Sequence, residues 1–195
     1  MTNKVVHSLY KAFRDSGFAS LRFNFRGAGA SEGVHGHGET EVLDVAAAWD
    51  ELAARCAFLP ESAPRVLGGF SFGSSVGLRY ASEEERCTHR LGIGLPLALD
   101  LPDGRSYDFS WLSGDDKRPL YLLVGDNDEF CPQDRFERLV EKLRSEGVPV
   151  TAVVVPEANH FFDRKGHILR QEVERMAAAI LGQSIPERSY PAVDV

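Results

Sequence analysis

The sequence predicts an α/β fold, a mostly parallel sheet flanked by helices, in a single domain over residues 1–182 followed by a loosely ordered tail at 183–195. Three observations carry the prediction. Apolar segments of strand length alternate with amphipathic segments of helix length along the chain. Most of the strand segments are near-continuously apolar, the pattern of strands covered on both faces. No internal repeat or composition break divides the 195 residues, a length that suits one domain with a sizeable core.

The elements follow in order. Val5, Leu9, Ala12 and Phe13 recur at helical spacing behind Asn3, with Gly17 where a C-cap would stand, so a helix is expected over about 4–16. "FASLRFNF" places Leu21, Phe23 and Phe25 on one face of a strand at 18–25, and "RGAGASEGVHGHGE" reads as a glycine-rich loop. Val42, Val45, Ala46, Trp49, Leu52, Ala53 and Cys56 form the apolar stripe of a helix over about 40–56. "RVLGGF" is a buried strand ending at Ser71, "SSVGLRYASEEE" a helix and "RLGIGLPL" a strand. Residues 96–118 are mostly loop, pinned by Tyr107, Phe109 and Trp111, and too short for a large helical lid. "PLYLLVG" (strand), "QDRFERLVEKLRSEG" (helix) and "VTAVVV" (strand) come next. The final helix, "KGHILRQEVERMAAAILG", turns Ile168, Val173, Met176 and Ile180 inward; the tail from Gln183 holds Pro186 and Pro191.

With 22 basic against 29 acidic residues, a net charge of -7 and no dense Lys/Arg run, nucleic acid is not an expected partner. Cys56, Cys87 and Cys131 are an odd, widely spaced set without C-x-x-C spacing, which suits reduced thiols rather than a disulfide framework or a zinc knuckle. The start, "MTNKVVHSLYKAF", lacks a signal-peptide core, and no apolar run approaches the ~20 residues of a membrane span. A cytoplasmic protein without a membrane partner is expected.

Ser71 lies between Gly69 and Gly73 in "VLGGFSFGSSVG", at a strand end that opens a helix. Glycines there let strand and helix approach closely, and the helix N-terminus favours developing negative charge. A G-x-S-x-G string alone is weak; this strand-to-helix setting is what a nucleophilic serine needs. Such a serine also needs a base and an orienting acid. Of the six histidines, His160 in "PEANHFF" lies in a loop directly after a strand, whereas His167, the fallback, sits on the final helix. The preceding strand ends in "VGDNDEFCP", placing Asp126 or Asp128 at the same sheet edge. Other motifs are discounted. "HGHGE" suits no zinc-enzyme spacing, "RGAGASEG" has Glu32 where a dinucleotide loop needs its third glycine, and "GGFSFGSS" has Ser74 where a P-loop needs lysine.

Taken together, "GFSFG", "GDNDEFCP", "ANHFF" and "RFNFRGAGASEG" resemble, in order, motifs of the α/β-hydrolase superfamily, over about residues 3–181. The likeness is to small bacterial hydrolases without a large cap, related to dienelactone hydrolase-like and Xaa-Pro dipeptidyl-peptidase-like domains. The resemblance implies Ser71 as nucleophile, His160 as base, Asp128 rather than Asp126 as the acid, and the Phe72 backbone N–H as an oxyanion donor. It further implies acyl transfer to water without a cofactor. The substrate would be a small-molecule ester, less readily an amide or peptide, and Phe130, Phe161 and Phe162 near the site would favour an apolar group. The chain departs from the family at its start, where a loop with the second oxyanion donor precedes the first helix. The family's strand order then lacks a strand between 18–25 and 65–70, so the expectation is an N-terminally shortened chain. Were the chain start natural instead, sheet repacking or a homodimer would have to cover the two open edges. The alternative activity is a silent binding protein, or an inactive fragment.

Overall fold

The computed structural model describes residues 3–100, 104, 106–191 and 193–195. Helix α1 (Lys4–Asp15) starts where Asn3 Oδ1 accepts the backbone N–H groups of Val5 and Val6, and its Val5, Leu9, Ala12 and Phe13 are buried. Helix α2 (Glu41–Arg55) follows the glycine-rich loop. Then come β1 (Val66–Phe70), α3 (Phe72–Glu83), β2 (His89–Ile93), β3 (Leu120–Asn127), α4 (Gln133–Ser145), β4 (Val150–Asn159), α5 (Gly166–Ile180) and β5 (Val193–Asp194).

The strands form one sheet in the order β1-β2-β3-β4-β5. β1 to β4 pair in parallel, with Gly69 opposite Gly92, Gly92 opposite Leu122, and Leu122 opposite Ala152. Because strand side chains alternate between faces, Leu91, Ile93, Leu123, Val153 and Val155 meet α1 and α5, including Leu9, Phe13, Leu169 and Val173. Leu120, Leu122, Val124, Ala152 and Val154 go to the opposite face, against Leu78 of α3 and Phe136, Val140 and Leu143 of α4. Near-continuous apolar strands therefore fill two cores. Phe136 is 1 % exposed; Phe136→Ala is expected to cost about 3–5 kcal/mol, read as a lower urea midpoint with an unchanged slope.

Residues 18–25 correct one expectation: they form no strand. A strand exists through its ladder, and among the described residues nothing pairs with this segment, while β1 is a sheet edge hydrogen-bonded to β2 alone. Side chains hold the segment instead. Phe23 packs edge-on against Phe25 at 5.1 Å between centroids, and Phe25 against Phe72 at 5.3 Å.

Phe109 and Trp111 pack on the α4-side core, as the loop needs if it is to lie against the body. Among the described residues of the 183–195 tail there is no helix, and side chains and a short strand tie it to the body. Arg188 bridges the buried Glu172 of α5 and Asp194, Tyr190 donates its hydroxyl to Glu172, and β5 pairs antiparallel with β4. Charge pairing of this kind leaves no periodic trace in a proline-containing tail.

Candidate active site

Ser71 sits between β1 and α3 with φ 52° and ψ −122°, a backbone region sparsely populated by residues with a Cβ. The turn survives because its neighbours over-determine it. Ser71 N–H donates to Ile93 O at 2.9 Å, extending the β1–β2 ladder, and Ser71 O accepts from the Ser74 N–H at 2.9 Å and from its hydroxyl at 2.6 Å. The flanking glycines are not equivalent. A Cβ on Gly69 would lie 2.2 Å from Gly73 O and 2.6 Å from Ser74 N, whereas one on Gly73 would meet only Phe25, at 3.7 Å. Gly69→Ala is therefore expected to lower the melting temperature and distort the turn, while Gly73→Ala keeps the wild-type melting curve; thermal denaturation of both variants checks this.

The parallel sheet brings the ends of β3 and β4 to the same edge as Ser71. Asp128, just past β3, is 4 % exposed, and its Oδ1 accepts the backbone N–H groups of Phe130 and Cys131 at 2.9 and 3.0 Å. His160, just past β4, is 3 % exposed. Its Nδ1 lies 2.9 Å from both Asp128 oxygens, and its Nε2 lies 2.9 Å from Ser71 Oγ. A carboxylate only accepts, so Nδ1 carries the proton and Nε2 offers its lone pair to the Ser71 hydroxyl. Asp126 is exposed, where Asn127 Nδ2 donates to it at 3.0 Å, and His167 is exposed on α5. The structure thus brings Ser71, His160 and Asp128 together and leaves both alternatives outside.

The His160 loop is stitched to α1: Asp163 pairs with Lys4 and accepts from Asn159 Nδ2 at 2.9 Å, while Asp163 N–H donates to Asn159 Oδ1 at 3.0 Å. Around the imidazole stand Phe70, Phe130 and Phe161, with ring centroids at 4.7, 4.8 and 5.1 Å. Phe161 is 44 % exposed and lies at the rim. Phe162 does not join them. Its φ of 53° turns it into the α1–α5 core, where it is buried. Beside the acid, burial and the Asp128 charge push the Cys131 thiol up, which keeps it protonated. Phe72 opens α3, and an N–H in a first helical turn has no intrahelical acceptor, so it is available to an anion at Ser71.

One contributor escaped the sequence reading. Gly94 has φ 54°, and a Cβ there would stand 3.2 Å from Asp128 Oδ2 and from His160 Nδ1 and Cε1, so a side chain would be strained at this backbone position and would crowd the pair. The second glycine of "GIG" directly after the apolar run was the available signal. The "HGHGE" loop, discounted as a zinc site, packs on Phe72 through His35, with ring centroids 4.9 Å apart. Among the described residues no group of three or more His, Cys, Asp and Glu side chains could hold a metal ion, and no helix is long and apolar enough to cross a membrane.

Comparison with known proteins agrees with this architecture. The prolyl oligopeptidase family matches residues 105–182. An uncharacterized protein of Rickettsia prowazekii is 34% identical over 167 residues, covering 85% of this chain and 67% of that protein. Among solved structures, an α/β-hydrolase candidate of Agrobacterium tumefaciens is 32% identical with a TM-score of 0.79, covering 96% of this chain and 82% of the other. A lidless α/β serine hydrolase of Xanthomonas campestris is 28% identical with a TM-score of 0.74, covering 96% and 77%. With sheet order, strand-to-helix serine turn and relatives in agreement, the chain belongs to the α/β-hydrolase superfamily.

Proposed function

We propose that this chain is a serine hydrolase that transfers the acyl group of a small ester to water, and amides or peptides less readily. The observation that carries the reading is the unbroken run of hydrogen bonds from Ser71 Oγ through His160 to Asp128, at 2.9 Å on either side of the imidazole. His160 Nε2 takes the Ser71 proton as Oγ attacks the ester carbonyl, and the carbonyl electrons move onto oxygen. The Phe72 N–H stabilises that oxyanion, with the α3 N-terminus behind it. Collapse expels the alcohol, which leaves with the proton from His160, and an acyl-Ser71 remains. Water then attacks, giving its proton to His160, and the carboxylic acid departs as Ser71 recovers its proton. Asp128 fixes the imidazole tautomer and stabilises the imidazolium throughout. No step in this sequence calls for a metal or an organic cofactor.

The rings of Phe70, Phe130 and Phe161 around His160 support an apolar acyl or alcohol group, each buried CH₂ contributing up to ~0.8 kcal/mol. The test is hydrolysis of p-nitrophenyl acetate and butyrate at neutral pH. Turnover of both, with the larger kcat/KM for butyrate, is expected. A well-folded protein that hydrolyses neither would favour a pocket kept for binding alone.

A further inference from the structure

Glu41 is the first residue of α2 and is 0 % exposed. A carboxylate is rarely buried unless its oxygens are occupied, and both are. Oε1 accepts the Gly36 N–H at 2.6 Å and Oε2 the Gly38 N–H at 2.9 Å. Burial pushes the Glu41 carboxyl up, but these backbone donors outweigh it and hold the group below the usual carboxylate range. The turn so gripped is not relaxed: His37 has φ 54° and Gly38 φ 97°. Within it, His35 Nδ1 accepts the His37 N–H at 3.0 Å and lies 3.6 Å from Glu41 Oε1. The other end of the loop is fastened to the same helix, because Asp44 accepts both the Arg26 backbone N–H, at 2.9 Å, and its guanidinium, at 2.7 Å.

What this braced loop touches is Phe72. The His35 ring lies over it, a Cβ on Gly38 would stand 3.7 Å from Phe72 Cε2 and from Val76 Cγ2, and Phe25 and Tyr107 close the remaining sides at 5.3 and 6.5 Å. The Ser71–Phe72 peptide follows a strained serine; Ser71 O, accepting from the Ser74 N–H and hydroxyl, anchors its carbonyl end, and the two side chains that flank it, those of Ser71 and Phe72, restrain it further. His160 holds one of them. We propose that Glu41 is a positioning residue for catalysis: by gripping the 36–38 turn it clamps the Phe72 side chain, and so aims the Phe72 N–H at the oxyanion formed on Ser71. The inference rests on the hydrolase reading above and adds a residue to it.

Glu41→Gln keeps the shape but puts an amide N–H₂ against one of the two backbone N–H groups, so the turn loosens. Kinetics with p-nitrophenyl butyrate, normalised to active sites titrated by a fluorophosphonate, should show kcat per site about 10- to 100-fold lower, with KM within about twofold. A merely structural role would lower the number of titratable sites and leave kcat per site unchanged, which would overturn the inference. Should Glu41→Gln melt below the assay temperature, His35→Ala carries the test, since the His35 side chain is 44% exposed and its loss is tolerable to the fold. A threefold or greater fall in kcat per site supports the clamp, and an unchanged value refutes it. Absence of turnover in the wild type would overturn the hydrolase reading and this one with it, whereas wild-type turnover with unaffected variants overturns this one alone.

Discussion

Ser71→Ala is expected to lower kcat for p-nitrophenyl butyrate by about a million-fold, leaving only the residual rate that substrate binding and the Phe72 N–H supply, with the melting curve retained. The size follows from what the hydroxyl does: without Oγ no acyl-enzyme forms, and His160 has nothing to deprotonate. Stability is preserved because Ser71 holds its neighbours through its backbone, donating to Ile93 O and accepting from Ser74. Alanine also relieves none of the φ 52° strain, so no compensating gain in stability is expected. Progress curves at high enzyme concentration, beside a thermal melt, measure both quantities.

Asp128→Asn is expected to reduce kcat about 10⁴-fold, again with the fold intact. The asparagine carbonyl can still accept the Phe130 and Cys131 N–H groups that Asp128 Oδ1 now accepts. The imidazole, however, meets an amide that donates. His160 then carries its proton on Nε2, facing Ser71, and can no longer accept the hydroxyl proton. Steady-state kinetics on a variant whose circular dichroism matches the wild type would check this. A loss below tenfold would mean that the Asp128 charge and acceptor are not what orients His160.

Much of this architecture was legible because periodicity reports burial. The stripes of α1 and α5 and the continuous apolar runs of β3 and β4 each met the core they anticipated. The motifs also placed Ser71, Asp128 and His160 at strand ends, and a parallel sheet necessarily gathers those ends at one edge. Segment 18–25 shows the limit of that reasoning. "LRFNF" has strand composition, but pairing is decided by a neighbour and not by the segment itself. Phe162 was misplaced because adjacent residues in an irregular loop need not share a direction, and its positive φ sends it away from Phe161. Glu41 and Gly94 were missed for a common reason. Their importance lies in a Cβ-sized space or a pair of backbone N–H groups brought close by the loops; the second glycine of "GIG" hinted at the first, and nothing in one dimension marked the second.

A nucleophilic Ser71 activated by His160 and Asp128 should react with an electrophilic phosphorus centre faster than any other side chain of the protein. Incubation of the protein with a fluorophosphonate probe, followed by peptide mass spectrometry, tests this most directly. One adduct is expected, on Ser71, absent from Ser71→Ala and greatly slowed in His160→Ala. A folded wild-type protein that acquires no adduct, or that is labelled at another residue and remains so in Ser71→Ala, would contradict it.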